Sequence, residues 1–167
     1  MLTYRHEILT DKLIEEMETM FDIYLEDVAA PFHAFPWNVD WFMYKNMASE
    51  DRLRIMAGRT EDGQLKAFSV AVIGPHPHYA CIFATIPLFF LHPDFRKGME
   101  GVRLRNVTEK LAADSGAQLI LLHGGHHNNV AKLFEAGHFQ DFGQYFVKVL
   151  PDGPLGTRPV YKTQRGV

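Results

Sequence analysis

The spacing of apolar residues divides the chain into alternating strand and helix signals. Residues 2–8 predict a short opening strand. From Asp11 the pattern changes, and Leu13, Met17, Met20, Tyr24 and Val28 recur at helical spacing with Ile14, Phe21 and Leu25 alongside. Glu15, Glu16, Glu18, Asp22 and Glu26 form the solvated face, and Thr10 or Asp11 can cap the start. Pro31 and Pro36 then bracket a loop rich in rings, after which Asn38 can cap a second short helix from Val39 to about Met47. Two β segments follow, Arg52–Arg59 and Leu65–Ile73, joined through Asp62-Gly63, a strong hairpin signal. The run Gly74-Pro75-His76-Pro77-His78 reads as a turn into a long strand, Tyr79–Leu91.

Beyond His92-Pro93 the residues Gly101–Ser115 predict a helix with Leu104, Val107 and Leu111 on its core side, ended by Gly116. Gln118–His123 is a compact apolar strand, so strand, helix and strand predict a right-handed parallel crossover. A further helix, Asn129–Ala136, buries Val130, Leu133 and Phe134, and Phe139–Leu150 supplies the last β segments. The order β-α-α-β-β-β-α-β-α-β predicts an α/β fold with a mixed sheet and helices on both faces. A single domain is expected over 1–150, with a Pro- and Gly-rich tail over 151–167.

Composition narrows the function classes. A hydrophobic content of 47% with 22% charged residues is a globular balance rather than a disordered one. The net charge of −3 gives no electrostatic footprint for nucleic acid or an anionic membrane. No apolar leader opens the chain, and the longest apolar run, Cys81–Leu91, is half a membrane span and contains Pro87, so a cytoplasmic protein is expected. The one cysteine, Cys81, cannot form an internal disulfide and is expected as a small buried strand residue.

The chemistry concentrates in Phe89-Phe90-Leu91-His92-Pro93-Asp94-Phe95-Arg96-Lys97-Gly98-Met99-Glu100-Gly101-Val102. A strand ends, a basic loop with two glycines follows, and a helix begins. Free amides at a helix start, backed by the helix dipole, bind anions. Gly98 and Gly101 allow close backbone approach, while Arg96, Lys97 and Arg103 add positive charge. The dipole alone contributes about 0.3–1 kcal/mol, so a diphosphate also needs the amides and the cations. No Gly-Lys-Ser/Thr closes the loop, which excludes a Walker motif.

This segment resembles the acyl-CoA loop of the GNAT superfamily of N-acetyltransferases, whose pattern is Arg-x-x-Gly-x-Gly. Arg96 and Gly101 match its ends, Met99 replaces the middle glycine, and Gly98 lies one residue early. The phrase FFLHPDFRKGMEGVRL, with GPHPHY before the long strand, is most similar to a subgroup often found in phage genomes. NNVAKLFEAGHF resembles a second GNAT block. The resemblance implies the GNAT acyl-CoA N-acyltransferase fold and acetyl transfer from acetyl-CoA to a primary amine of a small molecule or protein. It implies that the backbone of Phe89, Phe90 and Leu91 pairs with the pantetheine amides and that Arg96, Lys97, Gly98, Met99, Glu100, Gly101 and Val102 wrap the diphosphate. Asn128 or Asn129 would contact the pantetheine arm from the other side, and a homodimer is a compatible assembly.

Catalysis needs a neutral amine, and a lysine-like amine is neutral only about once in 10³ molecules near pH 7, equivalent to roughly 4–5 kcal/mol. In many GNAT enzymes a carboxylate on the long central strand acts as base, yet here Ile82–Phe89 holds no acid, and Pro87 stands near the position where the related subgroup carries Asp. His123, His126 and His127 follow the strand that should border the cleft, and His127 is the candidate base. The position of the family's acidic Tyr is Phe134, which leaves Tyr145 as the candidate acid for the leaving thiolate. The three histidines also carry a zinc or nickel reading, but Gly124-Gly125 and the lack of Cys or helical His spacing argue against it, and no metal site is expected. The missing carboxylate and the Phe at 134 keep an alternative open: a non-catalytic GNAT-fold module that binds CoA or a protein partner in phage assembly or counter-defence.

Overall fold

The computed structural model describes residues 1–28, 39–122 and 130–141. Five strands, β1 (Thr3–Glu7), β2 (Leu53–Arg59), β3 (Leu65–Pro75), β4 (Ile82–Leu91) and β5 (Leu119–Leu122), form one sheet in sequence order. The first four are antiparallel, and β5 joins β4 in parallel. The helices are α1 (Asp11–Glu18), α2 (Phe21–Val28), α3 (Trp41–Ser49), α4 (Glu100–Asp114) and α5 (Val130–Glu135). The mixed α/β fold expected from the sequence is present. Of the β segments expected over Phe139–Leu150, residues 139–141 form no strand, and 142–150 lie outside the described residues with the tail.

Alternation along β2 and β3 sorts side chains to two faces. Ile55, Ala57, Phe68 and Val70 face α1, α2 and α3, where Leu13, Met17, Phe21 and Tyr24 meet them. Met56 and Ala67 face α4 and pack on Leu104, while Ala71 and Ile73 meet Ala112 farther along the same helix. Helices thus cover both faces. The buried polar pair on the α4 face is Ser69 with Thr108, hydroxyl to hydroxyl at 2.6 Å, and Thr108 also donates to the Leu104 carbonyl at 2.8 Å. Each hydroxyl is therefore satisfied, as burial requires.

Several local differences from the sequence reading have physical causes. The helical pattern from Asp11 to Val28 is interrupted at Thr19–Met20, where the Thr19 hydroxyl donates to the Glu16 carbonyl at 2.7 Å and competes with helix continuation. Thr10 is the cap of α1, accepting from the Leu13 amide at 3.2 Å. Helix α3 begins two residues later than Val39 because Asp40 is its cap, accepting from the Met43 amide at 2.9 Å. Strand β4 starts at Ile82, not Tyr79, because His76 Nδ1 accepts from the amides of His78 and Tyr79 and holds 76–81 as a turn. Cys81 consequently stands half-buried just before β4, not within it as expected. The Asp62-Gly63 turn forms as expected, with Gly63 at φ 87° and the Thr60 amide donating to Gln64 O at 3.0 Å.

Strand β1 is fastened twice. On one side Arg59 bridges Glu7 at 2.7 Å and Glu16 at 2.6 Å, tying β1 and β2 to α1. On the other side the Tyr4 ring lies over Gly58, where an added Cβ would fall 2.6 Å from Tyr4 Cε1 and 2.9 Å from Ala67 Cβ. Gly58→Ala is expected to destabilise the protein by about 1–3 kcal/mol through overpacking, measured as a fall in the urea midpoint with unchanged slope; an unaltered midpoint would show that the Tyr4 ring gives way freely.

Candidate functional site

The site begins with one extra residue in β4. Val72 pairs with Thr85, but Val70 pairs with Leu88, so Ile86 and Pro87 together oppose Ala71 in a β-bulge. Proline has no amide hydrogen to give a ladder, and a bulge is one of the few interior positions that accept it. The bulge also reverses the faces. Ala84 and Ile86 point towards α4, whereas two residues beyond Ile86 Leu88 points into the opposite core with Phe90. Phe89 and Leu91 take over the α4 side.

Among the described residues, the pairing of β4 with β5 lies wholly before Pro87. It covers Phe83↔Leu119 to Ile86↔Leu122. The His92 amide donates to Lys66 O on β3 at 2.8 Å. By the two-residue alternation of the ladder, Phe90 and Leu88 also direct their backbone groups to β3, while Phe89 and Leu91 direct theirs to the opposite edge. That edge is the kind of backbone surface on which an extended amide-bearing ligand can add as a strand.

The chain then forms a single 3₁₀ turn, Pro93–Phe95, capped by His92, whose Nδ1 accepts from the Asp94 amide at 3.3 Å. Arg96 folds back and donates from Nε to the Leu91 carbonyl at 2.8 Å, with its guanidinium 6.0 Å from the Phe90 ring centre. Gly98 takes φ 90°, a left-handed conformation that a side chain would strain. Met99 is the cap residue of α4, 64% exposed, and makes no side-chain cap bond. The first-turn amides of a 15-residue helix therefore carry no side-chain acceptor at the cap, while Arg96 and Lys97 stand exposed beside them.

The acidic residue of that first turn is turned aside. Glu100 accepts from the Leu2 amide at 3.2 Å, the Tyr4 hydroxyl at 3.1 Å and Arg103 Nη1 at 2.7 Å. Arg103 Nη2 donates to the Leu2 carbonyl at 2.9 Å, and its guanidinium lies 5.3 Å above the Tyr4 ring. Burial first, and then the adjacent Glu100 carboxylate, push the Tyr4 phenol well above its ordinary range, so it remains a hydrogen-bond donor. On the other side of α4, Phe134 of α5 packs edge-on against Phe89 and Phe139, each at 5.2 Å. Arg105 and Glu109 lie beneath, around a cavity of about 10 Å³.

Solved structures with this arrangement include several acetyltransferases. A GNAT family acetyltransferase from Staphylococcus aureus is 17% identical, with 89% of this chain and 99% of that one covered at a TM-score of 0.62. The fold is that of the GNAT acetyltransferases. An aminoglycoside acetyltransferase from an uncultured soil metagenomic sample, in complex with sisomicin, shares the GNAT fold at 11% identity, with 90% and 97% of the two chains covered and a TM-score of 0.68. A predicted acetyltransferase with acetyl-CoA from Clostridium acetobutylicum shares it at 14% identity, with 89% and 96% covered and a TM-score of 0.68. No family model and no curated protein matches the sequence.

Within this GNAT fold the expected cofactor residues separate by position. Phe89, Leu91, Arg96, Lys97, Gly98, Met99, Glu100, Gly101 and Val102 run together from the end of β4 to the start of α4. Phe90 differs, because its backbone faces β3 and its ring is buried against Phe68 and Tyr24. Gly101 packs on Leu133, where an added Cβ would make ordinary contact at 3.5 Å. Arg103, read from the sequence as extra positive charge for an anion, instead braces Glu100 and Leu2. Tyr145, His127, Asn128 and Asn129 lie outside the described residues, as does the His123–His127 run. No group of three or more possible metal-ligating residues occurs among the described residues. Likewise no described helix is long and apolar enough to cross a membrane.

The sequence reading missed the Tyr4–Glu100 link and the buried Arg105. The first carried no local signal, since its partners lie 96 positions apart. The second had one: Arg105 falls one residue after Leu104 on the buried side of α4, where a charge needs partners. Tyr4→Phe is expected to cost about 1–2 kcal/mol of stability by removing a charge-assisted hydrogen bond, read from equilibrium urea unfolding; wild-type stability would show that Arg103 and Leu2 alone satisfy Glu100.

Proposed function

We propose that this protein is an acetyl-CoA-dependent N-acetyltransferase acting on a primary amine of a small molecule or protein. The observation that carries this reading is a helix start without a side-chain cap, reached from β4 through a basic loop with Gly98 in a left-handed conformation. The strand end and the helix start offer complementary chemistry in one line. The Phe89 and Leu91 edge suits the amides of a pantetheine arm, and the amides of 98–102 with Arg96 and Lys97 suit a diphosphate. Acetyl-CoA supplies a thioester, which is activated for acyl transfer. The named neighbours, one with acetyl-CoA and one with sisomicin, support a cofactor and an amine acceptor of these kinds.

This chain's own residues bind and orient. Glu100, held by Tyr4 and Arg103, keeps its carboxylate directed at β1 while its backbone stays in the first turn. Pro87 marks the bulge just before the stretch 89–91, and β4 brings no carboxylate there. The acceptor's proton is assigned to His127, and protonation of the departing thiolate to Tyr145. Phe134 has no proton to give and packs on Phe89 instead. A binding-only module is the second reading, favoured by that strand without an acid.

Acetyl-CoA at about 100 times its Kd is expected to stabilise the protein by roughly 2.7 kcal/mol, read as a melting shift. Absence of a shift would refute both cofactor-dependent readings. Arg96→Glu is expected to abolish the shift, and an undiminished one would place the cofactor elsewhere. Release of free thiol across a panel of amines then separates enzyme from binding module.

A further inference from the structure

We propose that Arg105 is a positioning residue, a buried strut that sets the spacing of α5 against α4 and thereby the placement of Phe134 against Phe89 of β4. The proposal rests on the acetyl-CoA reading of that stretch of β4. Its starting point is the cost of the side chain. Arg105 is 90% buried by its 10% side-chain exposure, and taking a guanidinium out of water costs several kcal/mol even after relaxation. A leucine would fill the same space without that cost, so the charge needs a geometric account.

The donors of Arg105 supply one. Nη1 donates at 2.7 Å to the carbonyl of Leu133, in the last turn of α5, where helical carbonyls have no partner of their own. Nε and Nη2 both donate to Asn106 Oδ1, at 3.2 and 2.8 Å, which fixes the plane of the fork. Glu109 Oε1 lies 3.0 Å from Nε as an ion pair, outside hydrogen-bond geometry. The turn after α5 rests on the same plane. A Cβ added to Gly137 would fall 2.7 Å from Cζ, Nε and Nη1, so only glycine allows this approach. The guanidinium is thus bonded to Asn106 of α4 on one side and to Leu133 of α5 on the other, with Gly137 close against it.

The location makes this spacing matter. Arg105 lines the small cavity with Ile86, Phe89, Ile120 and Phe134, beside the Ile86–Leu122 pair of β4 and β5. A helix as short as α5 has no stability of its own and takes its place from tertiary contacts. The Phe134 ring, set between Phe89 and Phe139, holds α5 to the sheet. Attachment and spacing are therefore divided between an aromatic contact and a rigid fork. Replacing the fork leaves the attachment and alters the spacing.

The test uses Arg105→Met, Arg105→Lys and Gly137→Ala in the full chain. Three quantities are measured for each: the melting temperature without ligand, the Kd for acetyl-CoA by calorimetry well below that temperature, and hydrogen exchange of the α5 amides without ligand. Arg105→Met and Gly137→Ala are expected to weaken acetyl-CoA binding about tenfold or more, since small misplacements of a binding frame are costly, and to speed exchange in α5. Arg105→Lys, which keeps one donor but loses the fork, should fall between them and the wild type. Wild-type Kd values in folded variants would overturn the proposal and leave a purely structural Arg. If Arg105→Met fails to fold, Gly137→Ala, which retains the guanidinium but displaces it, decides the matter alone. Failure of the wild type to bind acetyl-CoA would overturn the cofactor reading itself, a result distinct from binding that the variants leave unchanged.

Discussion

Strand β4 holds one residue more than its partner can match, and the site follows from that mismatch. Ile86 and Pro87 share one position opposite Ala71, so the side-chain alternation reverses within the strand. Before the bulge, β4 is a central strand with neighbours on both edges. After it, Phe89 and Leu91 turn backbone groups away from β3, beyond the last pair with β5 among the described residues. A proline, normally a defect in a central strand, is compatible with this position because a bulge leaves a residue outside the ladder.

Helix α4 joins the parts of the site. Its start presents amides without a side-chain cap, and its successive turns make polar contacts in three directions. Glu100 and Arg103 reach β1, Thr108 reaches Ser69 at the centre of the sheet, and Arg105 reaches α5. Apolar packing on Leu104 and Ala112 would allow a helix to slide or rotate slightly. Directional bonds at several heights remove that freedom, and an anion site made of backbone amides needs a helix that holds still.

Much of the fold was legible because it rests on periodic apolar spacing. The β2–β3 hairpin, the α4 core face and the parallel return to β5 all follow from patterns within short windows, and the Thr10 cap and the Gly63 turn follow from local backbone chemistry. The basic loop and helix start were legible for the same reason. The bulge was not, since Ile82–Leu91 reads as one apolar run whether or not a residue is extra. Phe90 shows the consequence: three consecutive residues appear equivalent in sequence, and alternation assigns the middle one to the opposite partner. The roles of Glu100 and Arg103 depended on Tyr4, remote in the chain, and no local pattern reports such a partner.

That remote partnership bears on how the protein reaches its folded state. Leu2 gives its amide to Glu100 and its carbonyl to Arg103, 98 and 101 positions away. Strand β1 can pair with β2 earlier, but its second anchorage waits until α4 has been made and has docked. Contacts of such long sequence separation slow folding, because a large loop must close before they contribute. Until then the apolar face destined for α4, with Met56, Ala67 and Leu91, stays uncovered, so a half-finished chain exposes surface that favours aggregation.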